Sequence, residues 1–302
     1  MTSGTAQFHV PGLSEPCQTW YKVFGDLKTS ATPLIVLHGG PGACHEYLLP
    51  LTDLSHSRPV IFYDQIGNGA STHLPDKNGD EAFWTVELFK NELDNLLSHL
   101  QLNERPIDVL GHSWGGMLAA EWAAGPSADI LRRLVIVSSP ASIDVWRTCL
   151  SMLKAKLPED VQKALDRAEK NKDFESPEYE AAVEVFYKKH VSLTRPWPAK
   201  EVQVALDWFA KDSTTYSTMY GPSEITITGS LRDWTSVPIL HKITVPTLLM
   251  NGAEDEAQDV AMQPFFDHIE KVKWITIDDA AHFVHVDQRK KFMRHLEAFL
   301  SA

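Results

Sequence analysis

The sequence has few cysteines, a deficit of basic residues and no long apolar run. Its three cysteines, Cys17, Cys44 and Cys149, stand at irregular spacing, which gives neither a disulfide framework nor a zinc cluster and fits a reducing compartment. Lys and Arg number 28 against 40 Asp and Glu, a net charge of -12. That is the wrong sign for a protein that tracks phosphate backbones or anionic lipid, so neither nucleic acid nor membrane is an expected partner. No stretch approaches the roughly 18 apolar residues that a membrane span needs. The opening MTSGTAQFHVPG lacks a basic region followed by an apolar core, so no secretory signal is expected, and a cytoplasmic location is.

What is present is a chain of 302 residues, 43 % hydrophobic and 23 % charged, values of a folded globular protein large enough to bury a core without metal or disulfide. Short apolar runs recur at Pro33–Leu37, Val60–Tyr63, Ile107–Leu110, Leu134–Val137, Thr247–Met250 and Lys273–Ile277. Runs that are apolar on both faces read as buried strands of a parallel sheet. Between them, Val86, Phe89, Leu93, Leu96, Leu97 and Leu100 step by three and four, the Ala-rich stretch Trp114–Ala124 stops at Gly125-Pro126, and Arg289–Leu300 carries another apolar face. Alternating strands and helices predict an α/β layered sheet. The alternation breaks at residues 142–238. There, segments near Val145–Leu157, Asp160–Lys170, Pro177–His190 and Lys200–Lys211 read as helices. The expected division is therefore a core of residues 1–141 and 239–302 with a helical cap insertion at 142–238, roofing a pocket at the carboxyl edge of the sheet.

The most informative string is Gly111-His112-Ser113-Trp114-Gly115, placed after an expected strand and opening an expected helix. That is the context of a G-x-S-x-G nucleophile elbow, with Ser113 as candidate nucleophile. A serine hydroxyl needs a base, and the base an orienting acid, each on a loop after a later strand. After TLLM the chain reads NGAEDEAQD, offering Glu254, Asp255, Glu256 and Asp259; Asp255, three residues past Gly252, is the choice. After KWITI it reads DDAAHFVHVDQ, where His282 is the candidate base and His285 its rival. Two backbone amides should stabilise the oxyanion. Trp114, directly after the nucleophile, supplies one and Gly40 in LIVLHGGPG the other.

HGGPG at 38–42, YDQIGNG at 63–69, GHSWGGML at 111–118, MYGPSE at 219–224, NGAEDE at 251–256 and AAHFVH at 280–285 together resemble the proline iminopeptidase family of α/β-hydrolases. The resemblance runs from about Thr32 to the C-terminus. It implies an α/β-hydrolase fold with a mostly parallel central sheet flanked by helices, and the same three residues, Ser113, Asp255 and His282. It further implies that Glu224 and Glu256 bind the free α-amine of the substrate. Departures fall at Ala253 and in EAQDVAMQP, where the family's usual residues around the acidic turn are missing; they bear on the shape of the amine pocket.

The expected activity is release of an N-terminal amino acid, proline or another often hydrophobic residue, from a short peptide or amino-acid amide through an acyl-enzyme. An esterase or lactonase acting on a small metabolite is the alternative. Aspartate-elbow chemistries are disfavoured by Ser113, and a non-catalytic receptor role by the presence of every triad member. The mechanism requires no cofactor, and no metal-ligand spacing is seen. The sequence does not fix an oligomeric state; a monomer fits it.

Overall fold

The computed structural model describes residues 1–302. Eight strands form a single sheet in the order β1-β2-β4-β3-β5-β6-β7-β8. They are β1 (Thr2–Phe8), β2 (Cys17–Phe24), β3 (Leu34–Leu37), β4 (Val60–Asp64), β5 (Ile107–His112), β6 (Leu131–Val137), β7 (Thr247–Gly252) and β8 (Val272–Ile277). From β4 to β8 every pairing is parallel, while β1 with β2 and β2 with β4 are antiparallel. The six apolar runs read from the sequence all lie on strands, but that of Lys273–Ile277 is not a buried one: β8 ends the sheet, and only Ile277 in it is buried. The two amino-terminal strands were not anticipated. TSGTAQF in β1 is exposed over most of its length, so it lacks the continuous apolar signature of a buried strand.

Side chains alternate across the sheet and divide the core in two. On β3, Ile35 and Leu37 face one hydrophobic cluster while Leu34 and Val36 face the other. The first face is covered by α1 (Val86–His99), α2 (Trp114–Ala123) and α8 (Asp259–His268), which contribute Leu93, Leu118 and Phe265. The second is covered by the 3-10 segment Glu46–His56, α9 (Val284–Asp287) and α10 (Arg289–Ser301), through Leu51, Val284 and Leu296. Thr85 caps α1 by accepting from the Leu88 amide at 3.2 Å, an interaction whose removal costs about 1 kcal/mol.

Between β6 and β7 the chain is helical: α3 (Ile143–Lys154), α4 (Glu159–Asn171), α5 (Pro177–His190), α6 (Lys200–Lys211) and α7 (Thr214–Met219). The bounds of α5 and α6 coincide with the expected ones; α3 and α4 shift by one or a few residues, and α7 is additional. The shift of α3 has a local cause, since Ser142 caps it through the Val145 amide. Helix α3 packs on α8, and α6 packs on Glu46–His56, so the inserted helices bridge both sides of the core. No helix is long and apolar enough to cross a membrane.

Candidate active site

Ser113 sits between the last residue of β5 and the first of α2 with φ 56° and ψ -124°, a left-handed conformation that costs a non-glycine residue about 1–3 kcal/mol. Its flanking glycines allow it by close approach. A Cβ on Gly111 would meet the Gly115 carbonyl oxygen at 2.0 Å, and one on Gly115 would meet that of Leu37 at 2.2 Å. The Ser113 amide is fixed to the Val137 carbonyl at 2.9 Å. Trp114 is the first residue of α2, so its amide has no preceding turn to bond to and lies at the positive end of the helix dipole. Gly40 has φ +111°, and a Cβ there would meet the Gly42 nitrogen at 2.4 Å. Gly39, Gly40 and Ser113 line one cavity.

The turn after β7 and the loop after β8 meet at that cavity. His282 Nδ1 lies 2.9 Å from Asp255 Oδ1, and Asp255, fully buried, also accepts from the amides of Ala257 at 2.7 Å and Gly252 at 3.4 Å. Those bonds hold the carboxylate in one orientation. The other acidic residues of the turn go elsewhere: Glu254 and Asp259 face solvent. His285 is buried and donates from Nε2 to the Tyr47 carbonyl at 3.0 Å. Burial, foremost, brings its pKa down to about 4, a ring held neutral by packing. Ser113 and His282 face the same cavity without a direct hydrogen bond, as is common before substrate tightens a site.

Glu224 and Glu256 also line the cavity. Glu224 accepts from the Tyr216 hydroxyl at 2.8 Å, its carbonyl accepts from the Tyr220 hydroxyl at 2.9 Å, and its amide lies 3.4 Å from the Tyr187 hydroxyl. Burial raises its pKa, with His282 and the two tyrosines acting against that. Glu256 is fully buried, and neither of its carboxylate oxygens has a hydrogen-bond partner. Its pKa is pushed well above the usual carboxylate range, first by burial and then by Glu224 and Asp255. Burial and its acidic neighbours thus favour the protonated form of Glu256.

The whole cavity is about 480 Å³ in volume, and Trp197, Val202, Ala205, Leu206 and Phe209 give it an apolar wall. Val202 and Ala205 belong to the core of the second sheet face and Tyr216 and Tyr220 to that of the first, while Phe209 packs against both and lies 4.6 Å from the Tyr216 ring. The cavity thus combines two carboxyl groups and tyrosines with an apolar wall, and Ser113 and His282 line it as well. Tyr47 and His112 also line the cavity, and His190 stands beside it. The His190 carbonyl, at the end of α5, accepts from the amides of both Glu256 (3.2 Å) and His282 (3.1 Å). No sequence signal marks such a main-chain contact.

Residues 32–288 match the family described as alpha/beta hydrolase fold. A proline iminopeptidase of Heyndrickxia coagulans is 34 % identical over 278 residues, 92 % of this chain and 93 % of that protein. Among solved structures, VinJ superposes with a TM-score of 0.92 at 40 % identity, covering 99 % of this chain and 98 % of that one. The proline iminopeptidase of Mycobacterium smegmatis does so with a TM-score of 0.89 at 36 % identity, again over 99 % and 98 % of the two chains. The chain belongs to the α/β-hydrolase fold family and, within it, to the proline iminopeptidase family.

Proposed function

We propose that this protein is a serine aminopeptidase or amidase that releases an N-terminal amino acid, proline among the candidates, from a short peptide or an amino-acid amide. The observation that carries this reading is Glu256. A buried carboxyl group with no partner, beside a second carboxyl and on the cavity that holds Ser113, is matched by an ammonium that has shed its water. The substrate's α-amine sits between Glu224 and Glu256. Its carbonyl then lies at Ser113, and its leaving group extends along the apolar wall of α6.

In this mechanism Ser113 Oγ attacks the carbonyl carbon while His282 Nε2 takes the hydroxyl proton. Asp255 holds the imidazole through Nδ1–H and stabilises the imidazolium. The oxyanion is met by the amides of Gly40 and Trp114. His282 gives its proton to the departing amine, leaving an acyl-enzyme. Water, deprotonated by the same histidine, releases the amino acid and restores Ser113. Residues 1–141 and 239–302 act as the catalytic core and 142–238 as a cap that excludes long or folded chains. The buried free thiols of Cys17, Cys44 and Cys149 support a reducing, cytoplasmic setting.

The test is hydrolysis of prolyl, alanyl, leucyl and phenylalanyl anilides and amides, each with a free and an acetylated amine, beside a simple acyl ester. Turnover confined to free-amine substrates is expected. Turnover of the ester and acetylated compounds alone overturns the reading in favour of an esterase or lactonase.

A further inference from the structure

A single chain of buried hydrogen bonds runs between the three loops that carry the proposed chemistry. The Gly39 amide donates to the Tyr47 hydroxyl oxygen at 2.6 Å. Tyr47 Oη lies 2.9 Å from His112 Nδ1. His112 Nε2 lies 2.9 Å from the main-chain carbonyl of His282. A carbonyl can only accept, so Nε2 carries the ring proton. In a neutral imidazole Nδ1 is then an acceptor, which makes the tyrosine hydroxyl its donor. Every donor and acceptor in the chain is used, and all its bonds point one way, an arrangement in which each strengthens the next. The neutral form is enforced: burial, then His282 and His285, hold the His112 pKa well below the ordinary value for histidine.

The ends of this chain are informative. Gly39 precedes Gly40, His112 precedes Ser113, and the accepting carbonyl belongs to His282 itself. The loops follow β3, β5 and β8, three strands of which only β3 and β5 are neighbours. Sheet hydrogen bonds therefore do not fix the loop after β8 against the other two. Tyr47 is braced in turn, since its own carbonyl accepts from His285 at 3.0 Å.

We infer that Tyr47 and His112 are positioning residues that set the oxyanion amide, the nucleophile and the base in register with one another. The inference rests on the roles proposed for Gly40, Ser113 and His282, and not on the amine pocket. Misplacement of reacting groups by about 1 Å costs on the order of a hundredfold in rate, so the brace acts on kcat and leaves substrate affinity alone.

The experiment compares Tyr47→Phe, His112→Leu and His112→Gln for kcat, KM, thermal midpoint and rate of labelling by a fluorophosphonate. Tyr47→Phe keeps the ring packed on Phe283, whose ring centroid lies 5.1 Å away, and removes only the oxygen; kcat and the labelling rate are expected to fall about 10- to 100-fold, the scale of a misplaced reacting group, with KM little changed. His112→Gln, which offers both an acceptor and an N–H, is expected to recover most of what His112→Leu loses. Tyr47→Phe combined with His112→Leu should cost less than the product of the single losses, because the two residues act as a unit. Tyr47→Phe with unchanged kcat and labelling overturns the inference, as does equal activity of His112→Leu and His112→Gln. If His112→Leu does not fold, Tyr47→Phe and His112→Gln decide. The labelling rate needs no amine in the probe, so it remains informative if the peptidase reading fails.

Discussion

Glu256 Oε1 stands 3.6 Å from His282 Nδ1, close to the nitrogen that Asp255 Oδ1 meets at 2.9 Å. Adjacent acidic residues of one turn thus address the same imidazole edge but in different settings. Asp255 is held by backbone amides and the histidine, whereas neither Glu256 oxygen has a hydrogen-bond partner and burial favours its protonated form.

Glu256→Gln and Glu224→Gln are therefore expected to lower kcat/KM for free-amine substrates by about 10- to 100-fold, the scale of a lost hydrogen bond to a charged group. The rate of labelling by a fluorophosphonate, which carries no amine, should be little changed. Assays of both on the same protein read this out, and equal losses in turnover and labelling would remove the glutamates from amine binding.

Binding of an ammonium favours the ionised form of a carboxyl whose protonated form burial favours. Titration of the Ser113→Ala protein with an amino-acid amide should accordingly release a proton. Affinity should rise with pH until the amine itself deprotonates. Calorimetry in buffers of different ionisation enthalpy measures the release, which Glu256→Gln should abolish.

Ser113→Ala is expected to reduce kcat by about four orders of magnitude or more with the thermal midpoint retained, and to abolish fluorophosphonate labelling. Asp255→Asn, which presents the wrong partner to His282 Nδ1, should cost on the order of 10⁴-fold in kcat. Steady-state kinetics on folded protein check both.

Glu92, on α1, is fully buried and accepts from the Thr19 hydroxyl and the Ile66 amide. Burial pushes its pKa up from 4.5 to about 8. A raised carboxyl pKa means the folded state holds a proton that the unfolded chain releases, so this group destabilises the fold as pH climbs from about 4.5 to about 8. The slope approaches about 1.4 kcal/mol per pH unit. Urea denaturation of Glu92→Gln across that range should show this slope removed.

The fold was legible where burial is two-sided. PLIVL and VIFY are apolar on both faces, whereas TSGTAQF in β1 pairs at the sheet edge and carries no such pattern. Asp255 and His282 could be chosen because chain order limits where acid and base stand after an elbow. Glu224 had no such constraint; only the resemblance of GPSE to a family motif distinguished it from a surface glutamate. Tyr47, His112 and His190 carry no such mark, because bonds between side chains and to main-chain atoms of other loops impose no periodicity or spacing on a sequence.

Gly42, which closes the HGGPG turn, has Phe209 and Tyr216 so near that a Cβ would come within 3.1 Å of the first and 2.9 Å of the second. Phe209 lies on α6, the wall that the leaving group would follow. A substitution at Phe209 that widens or narrows the range of leaving groups therefore also presses on or loosens the turn that carries Gly40, the proposed oxyanion donor. In the divergence of such a protein, or in a library randomised at Phe209, breadth of substrate and turnover rate are inherited together, and compensating changes are expected at Tyr216 rather than in the triad.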